Sequence, residues 1–141
     1  MRIMGLDIGE KRIGVALSDP LGIIASALTV IERTTNEAAV KQIIDLAREN
    51  EAERIVVGMP RSLDGSLGKQ AQAVLSFIDL LKEYTQLPVV AWDERLSTVA
   101  AERTMLELGM KRDKRKKRRD SLAAAFILQG YLDRARSSAS G

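Results

Sequence analysis

The stretch RIMGLDIGEKRIGVALSDPLGIIASALTVI, residues 2–31, decides the fold. RIMGLDIG (2–9) alternates as a strand does. Gly9, Glu10 and Lys11 then make a short turn into a second alternating run, RIGVALSD (12–19). Asp19-Pro20-Leu21-Gly22 is a turn signal, and IIASALTVI (23–31) follows as a third strand. Strands joined by turns this short are antiparallel neighbours, because a parallel return needs a crossover of about a dozen residues or more.

Beyond residue 31 the period changes. Apolar residues at Ala39, Val40, Ile43, Ile44, Leu46 and Ala47 predict a helix from Asn36 to Asn50, with Thr35 or Asn36 as cap. RIVVG (54–58) reads as a buried strand, MPRSLDGSLG (59–68) as a loop, and residues 69–84 as a second helix. PVVAW (88–92) is another buried strand. Thr98 to Leu108 reads as a helix closed by Gly109, and a last helix is expected from about Arg119 to Arg136. A meander followed by βαβ units implies an α/β domain, a mixed five-stranded sheet with helices on both faces. The expectation is one domain over residues 1–136 and a disordered tail from Ser137 to Gly141.

The 141 residues include no Cys and no His. That removes disulfides, thiol nucleophiles, Cys-type zinc sites and His general bases, and with them the Ser-His-Asp triad. Catalysis here must use carboxylates, Lys, Arg, Tyr, Ser or Thr. No apolar run is long enough to span a bilayer, and Arg2 and Asp7 interrupt the first apolar residues, so neither a membrane segment nor a secretory pattern is expected. A Cys-free chain fits a reducing cytoplasm.

The net charge of +3 is unevenly spread. Residues 111–119 hold eight bases and one acid; the remaining 14 bases and 18 acids leave a body at −4. A mildly acidic domain with one concentrated basic segment implies a local anionic partner. The segment is too charged for a core, and a mobile loop that orders on phosphate is the expectation. Aromatic residues are few (Trp92, Phe77, Phe126, Tyr84, Tyr131), so recognition should follow shape and backbone rather than base stacking.

Three acidic positions stand out. Asp7 shares a strand face with Ile3 and Gly5, with Met4, Leu6 and Ile8 on the other, and a buried acid there needs a partner. Asp93 and Glu94 end the last strand, where α/β sheets gather ligands, and alternation lets only one of them face a shared site. Asp120 continues the stripe Ala123, Ala124, Ile127, Leu128, Tyr131, so it lies on the sheet-facing side of its helix. Each acid also has a structural role open to it: a strand-end turn bond, an N-cap, a favourable charge on a helix start. Together they suggest a carboxylate cluster for Mg²⁺ or Mn²⁺, one or two ions, and metal-assisted phosphodiester hydrolysis.

GLDIGEKRIGVALSD, VVGMPRSLDG, VVAWDERLSTVAAE and RRDSLAAAFILQGYL, in this order, resemble the YqgF family, also called RuvX, over nearly the whole chain. The resemblance implies an RNase H-like fold, akin to Holliday-junction resolvases. It also implies a nuclease that processes the 5′ end of precursor 16S ribosomal RNA, with Holliday-junction resolution as the alternative. It assigns metal binding to Asp7, to Asp120 and to Glu94 in preference to Asp93. Resolvases of the RuvC type carry a further acid at the end of the fourth strand, where this chain has Gly58-Met59-Pro60. Arg95 and Thr98 would reach phosphate at the same sheet end, and Asp64-Gly65 would form either a second cleft wall or a tight turn. The basic residues Lys111, Arg112, Lys114, Arg115, Lys116, Lys117, Arg118 and Arg119 would hold the backbone of precursor rRNA or branched DNA.

Two further readings follow from the same residues. A ribosome-assembly factor, bound to ribosomal particles without cutting, needs the basic run and not the acids. An actin- or Hsp70-like ATPase shares GLDIG-x-x-x-x-G but requires a second such domain. A monomer serves the rRNA reading, whereas a resolvase requires a homodimer for symmetric cuts.

Overall fold

The computed structural model describes residues 1–60, 68–93 and 116–140, with side chains over 1–60, 68–93 and 121–136. Strands β1 (Arg2–Ile8), β2 (Arg12–Ser18) and β3 (Ala25–Glu32) come first. Helix α1 (Asn36–Glu49), β4 (Ala52–Met59), α2 (Lys69–Tyr84), β5 (Val89–Asp93) and α3 (Lys116–Ser140) follow. The sheet order is β3-β2-β1-β4-β5. β1 pairs antiparallel with β2, and β2 with β3, while β1–β4 and β4–β5 are parallel. The long crossovers through α1 and α2 are what permit the two parallel pairs. The five-stranded mixed sheet is as the sequence implies.

β1 is the central strand, and its alternation divides the core. Met4, Leu6 and Ile8 pack with Val40 and Ile43 of α1 and Phe77 and Leu81 of α2. Ile3 lies on the other face with Ala16, Val56 and the α3 residues Ala124, Leu128 and Leu132. α1 begins as expected: the Thr35 side chain accepts the Ala38 N–H at 3.1 Å, a cap contributing about 1 kcal/mol.

Several boundaries differ from expectation. β3 starts at Ala25, not Ile23, because the Asp19 carboxylate accepts the N–H groups of Ile23 (2.7 Å) and Ile24 (3.0 Å) and keeps both in the turn. Gly22 completes that turn at φ 70°, a conformation glycine adopts without penalty. Gln129 on α3 then clamps the strand start, accepting from Ala25 N and donating to the Ile23 carbonyl, each at 2.9 Å. α3 starts at Lys116 rather than Arg119, so Lys116, Lys117, Arg118 and Arg119 are helical and the loop expected over the whole basic run is corrected there. Lys and Arg are good helix formers, and their propensity prevails over charge repulsion. At its other end α3 continues to Ser140, through four of the five residues assigned to a tail. The helix expected over 98–108 lies outside the described residues.

Candidate functional site

Asp7 stands one residue before the end of β1, half-buried, on the strand face that carries Gly5 and Ile3. That is the α3 side, since a Cβ added to Gly5 would meet Leu128 and Ala124. The residues flanking Asp7 are glycines. Gly14 is its register partner on β2. On β4, Leu6 pairs with Val57, so the next step of that ladder brings Gly58 alongside. A carboxylate between two neighbours without side chains has space beside it for a ligand to approach. Of these neighbours the sequence pattern shows Gly5 on the Asp7 face; the pairing of the strands brings Gly14 and Gly58 beside it.

α3 runs antiparallel to β1. The Tyr131 hydroxyl accepts from Arg54 Nη1 at 2.7 Å, and Arg54 is paired with Ile3. Leu128 and Ala124 lie over Gly5, two residues further along the strand. Each step up β1 therefore meets a turn nearer the helix start. From Gly5 to Asp7 is about 6.6 Å of strand, and from Ala124 back to position 120 is about 6 Å of helix. The helix thus carries the backbone of Asp120 to the same end of β1 as Asp7.

β5 ends at Asp93. Trp92 packs toward α3, its ring edge-on to Tyr131 with centroids 5.6 Å apart. Asp93 is the next residue and pairs with Met59, a member of the α1/α2 core. Alternation therefore puts Asp93 on the face opposite Asp7, although both stand at one edge of the sheet. Glu94, Arg95, Thr98, Lys111, Arg112, Lys114, Arg115 and the Asp64-Gly65 pair lie outside the described residues. Lys116 to Asp120 open α3 at the Asp7 end. Among the described residues no group of three His, Cys, Asp or Glu could hold a metal ion.

The same edge holds a cation that sequence reading passed over. Arg33, just after β3, donates through Nη1 to the Gly9 carbonyl at 2.7 Å. Its Nε and Nη2 donate to Asn36 Oδ1 at 3.2 and 2.9 Å, and its guanidinium lies 5.3 Å from the Phe77 ring centroid. The only signal in the sequence was its place between a strand and a capped helix. Asp19 lies at the far edge of the sheet, where the N–H groups of Ile24 and Ile23 hold its carboxyl below the usual range.

A sheet of this order and pairing is an RNase H-like fold. Thermus thermophilus RuvC, solved in complex with a Holliday junction substrate, has the same fold, with a TM-score of 0.67 at 15% identity over 98% of this chain and 96% of that one. Fowlpox virus resolvase, solved with Holliday junction DNA, gives a TM-score of 0.59 at 13% identity over 96% of this chain and 99% of that one. The chain belongs to the RuvX family, described as Holliday junction resolvase, whose family model matches residues 1–134. It is similar to proteins named "Putative pre-16S rRNA nuclease". The one from Desulforamulus reducens is 54% identical over 94% of this chain and 97% of its own length. The one from Clostridium kluyveri is 50% identical over 95% of this chain and 98% of its own length.

Proposed function

We propose that the protein is a metal-dependent endonuclease that matures the 5′ end of precursor 16S rRNA. The observation that carries this reading is the alignment of α3 on β1, which brings position 120 to the end of the strand where Asp7 stands between two glycines. In this reading Asp7, Glu94 and Asp120 hold the metal. Asp93 lies on the α1/α2 face with Met59, opposite Asp7, and that supports Glu94 as the ligand of the pair.

Carboxylate oxygens without His or Cys suit Mg²⁺ or Mn²⁺. Bound there, such an ion supplies the Lewis acidity that phosphodiester hydrolysis needs. The chain's own residues set where the phosphate rests. Lys116 to Arg119 place four cations in the first turn of α3, the end of a helix that already carries partial positive charge. A phosphate backbone relieves that repulsion, and Lys111, Arg112, Lys114 and Arg115 extend the same grip. Arg95 and Thr98 follow Glu94 closely enough in the chain to contact the same phosphate. The names of the relatives support rRNA as substrate. Among the described residues no helix is long and apolar enough to cross a membrane, and a cytoplasmic protein acting on ribosomal precursors completes the reading.

The family description favours a second substrate, the four-way DNA junction. Incubating the protein with Mg²⁺ or Mn²⁺ and either a precursor 16S fragment or a junction tests both. Cutting of the RNA at one 5′ position, lost in Asp7→Asn with binding retained, is the expected result. Paired symmetric cuts in the junction by a dimer would favour resolution instead. Binding without cutting of either would reduce the protein to an assembly factor.

A further inference from the structure

We propose that a cavity at the rim of the α1/α2 face is a second phosphate subsite, gripping the substrate strand one step away from the site of cleavage. The inference rests on the nuclease reading above. The cavity, about 650 Å³, opens between the end of β1 and the start of α2, with Gly9, Glu10, Arg33, Lys69 and Gln70 on its walls.

Arg33 supplies fixed charge. Its three hydrogen bonds go to the neutral oxygens of Gly9 and Asn36, and the Phe77 ring backs its plane. Among the described residues it has no carboxylate partner. A guanidinium has five N–H donors; these bonds use one on each nitrogen, which leaves one on Nη1 and one on Nη2. A half-buried cation held this rigidly, with charge uncompensated and donors to spare, is preorganised for a phosphate oxygen pair. Lys69 adds a second cation, and among the described residues Glu10 is the one carboxylate on the wall. Among the described residues no aromatic side chain lines the space. A free nucleotide would find nothing on which to stack its base, so the chemistry fits backbone phosphate.

Position connects the subsite to the acids. Arg33 is bonded to the carbonyl of Gly9, two residues past Asp7, roughly 7 Å of chain. Asp7 faces α3 and the cavity opens toward α2, so the strand crosses the end of β1 between them. The basic start of α3 then holds one side of the scissile position, and Arg33 with Lys69 holds the other. Two grips fix the reacting phosphate where a single one would let it swing.

Lys69 is exposed, with no hydrogen bond among the described residues, so Lys69→Ala should leave the fold intact. The test uses Asp7→Asn protein, with and without Lys69→Ala, and whichever substrate the wild type cleaves. Neutral methylphosphonates replace the strand's phosphates one at a time. The expected result is one phosphate beside the cleavage position whose neutralisation weakens binding several-fold, and does so no longer once Lys69→Ala is present. Lys69→Ala alone should lower the slope of log affinity against log salt by about one. Arg33→Lys, which keeps the charge and loses the three-point hold, should blur the same position. Identical phosphate maps with and without Lys69 would overturn the subsite while leaving the nuclease reading standing. Saturable, Lys69-dependent binding of inorganic phosphate that does not compete with the strand would assign the cavity to a small anion and overturn it too. A wild type that cleaves neither substrate would remove the nuclease reading, and the subsite with it.

Discussion

Gly5 lies so close beneath Leu128 that a Cβ on the glycine would sit 2.7 Å from the Leu128 Cβ and 3.2 Å from the Ala124 carbonyl oxygen. This contact sets how deeply α3 seats on β1, and so how near its first turn comes to Asp7. Gly5→Ala must push the helix outward, at a cost of about 1–3 kcal/mol. Leu128→Ala does not relieve the clash, because alanine keeps the Cβ. Denaturant unfolding of the single and double variants should show the two losses accumulating. Cleavage by Gly5→Ala should fall further than its folded fraction does, since displacement separates the acids. Full specific activity in folded Gly5→Ala would mean that the depth of α3 does not matter to the site.

Asp93 is set apart from Asp7 by strand face. Trp92 packs toward α3, which sends Asp93 to the α1/α2 side with Met59. Glu94→Gln should therefore lower kcat by more than the ~10–100-fold that loss of an outer-shell partner costs. Asp93→Asn should stay within that range and change the metal requirement little. A metal titration of cleavage for each variant reads both effects, and the reverse order would place Asp93 at the metal.

Asp19 makes the acid limb of stability testable. Backbone N–H bonds from Ile24 and Ile23 hold its folded carboxyl below the usual range. A depressed folded value contributes stability that is fully present above the unfolded value, near 3.9, and is lost as pH falls through the folded one. The unfolding midpoints of wild type and Asp19→Ala should differ most near neutral pH and draw together as pH falls below the unfolded value and through the depressed folded one. A gap that stays constant with pH would mean the turn is held by the backbone of Gly22 and its neighbours, not by the carboxylate charge.

The sequence already contained most of the fold because its links have telling lengths. The turn at Gly9 to Lys11 is too short for anything but an antiparallel pair, and α1 and α2 are long enough to return their strands in parallel. The two faces of β1 were legible for the same reason, since alternation needs no partner to be read. Register is different. That Gly58 comes alongside Asp7 depends on pairing through the α1 crossover, and nothing local encodes it. The start of α3 departs from the loop that a run of charge implies, because Lys and Arg have high helix propensity and the sheet beneath Ala124 and Leu128 anchors the next turns. Arg33 was passed over because its value lies in what holds it, the Gly9 carbonyl and the Asn36 side chain, and those bonds are tertiary.

The basic start of α3 and Asp120 should divide into separate effects. Neutralising Lys114, Arg115, Lys116, Lys117 and Arg118 releases phosphates that those cations would hold, and the log–log salt slope of binding should fall by about one for each phosphate released. The same change should make the protein more stable, not less. Lys116, Lys117 and Arg118 occupy the first turn of a helix with no acid there to offset them, and each cation at that end costs about 0.3–1 kcal/mol at low salt. Replacing them with Gln keeps helix propensity and removes the repulsion. Asp120→Asn should act differently: cleavage lost, with salt slope and stability little changed, because Asp120 lies beyond the first turn. Thermal melts and salt-dependent binding on the same two variants read all of this. If neutralising the cations destabilised the protein, the run would be a structural element of α3 and not a surface reserved for phosphate.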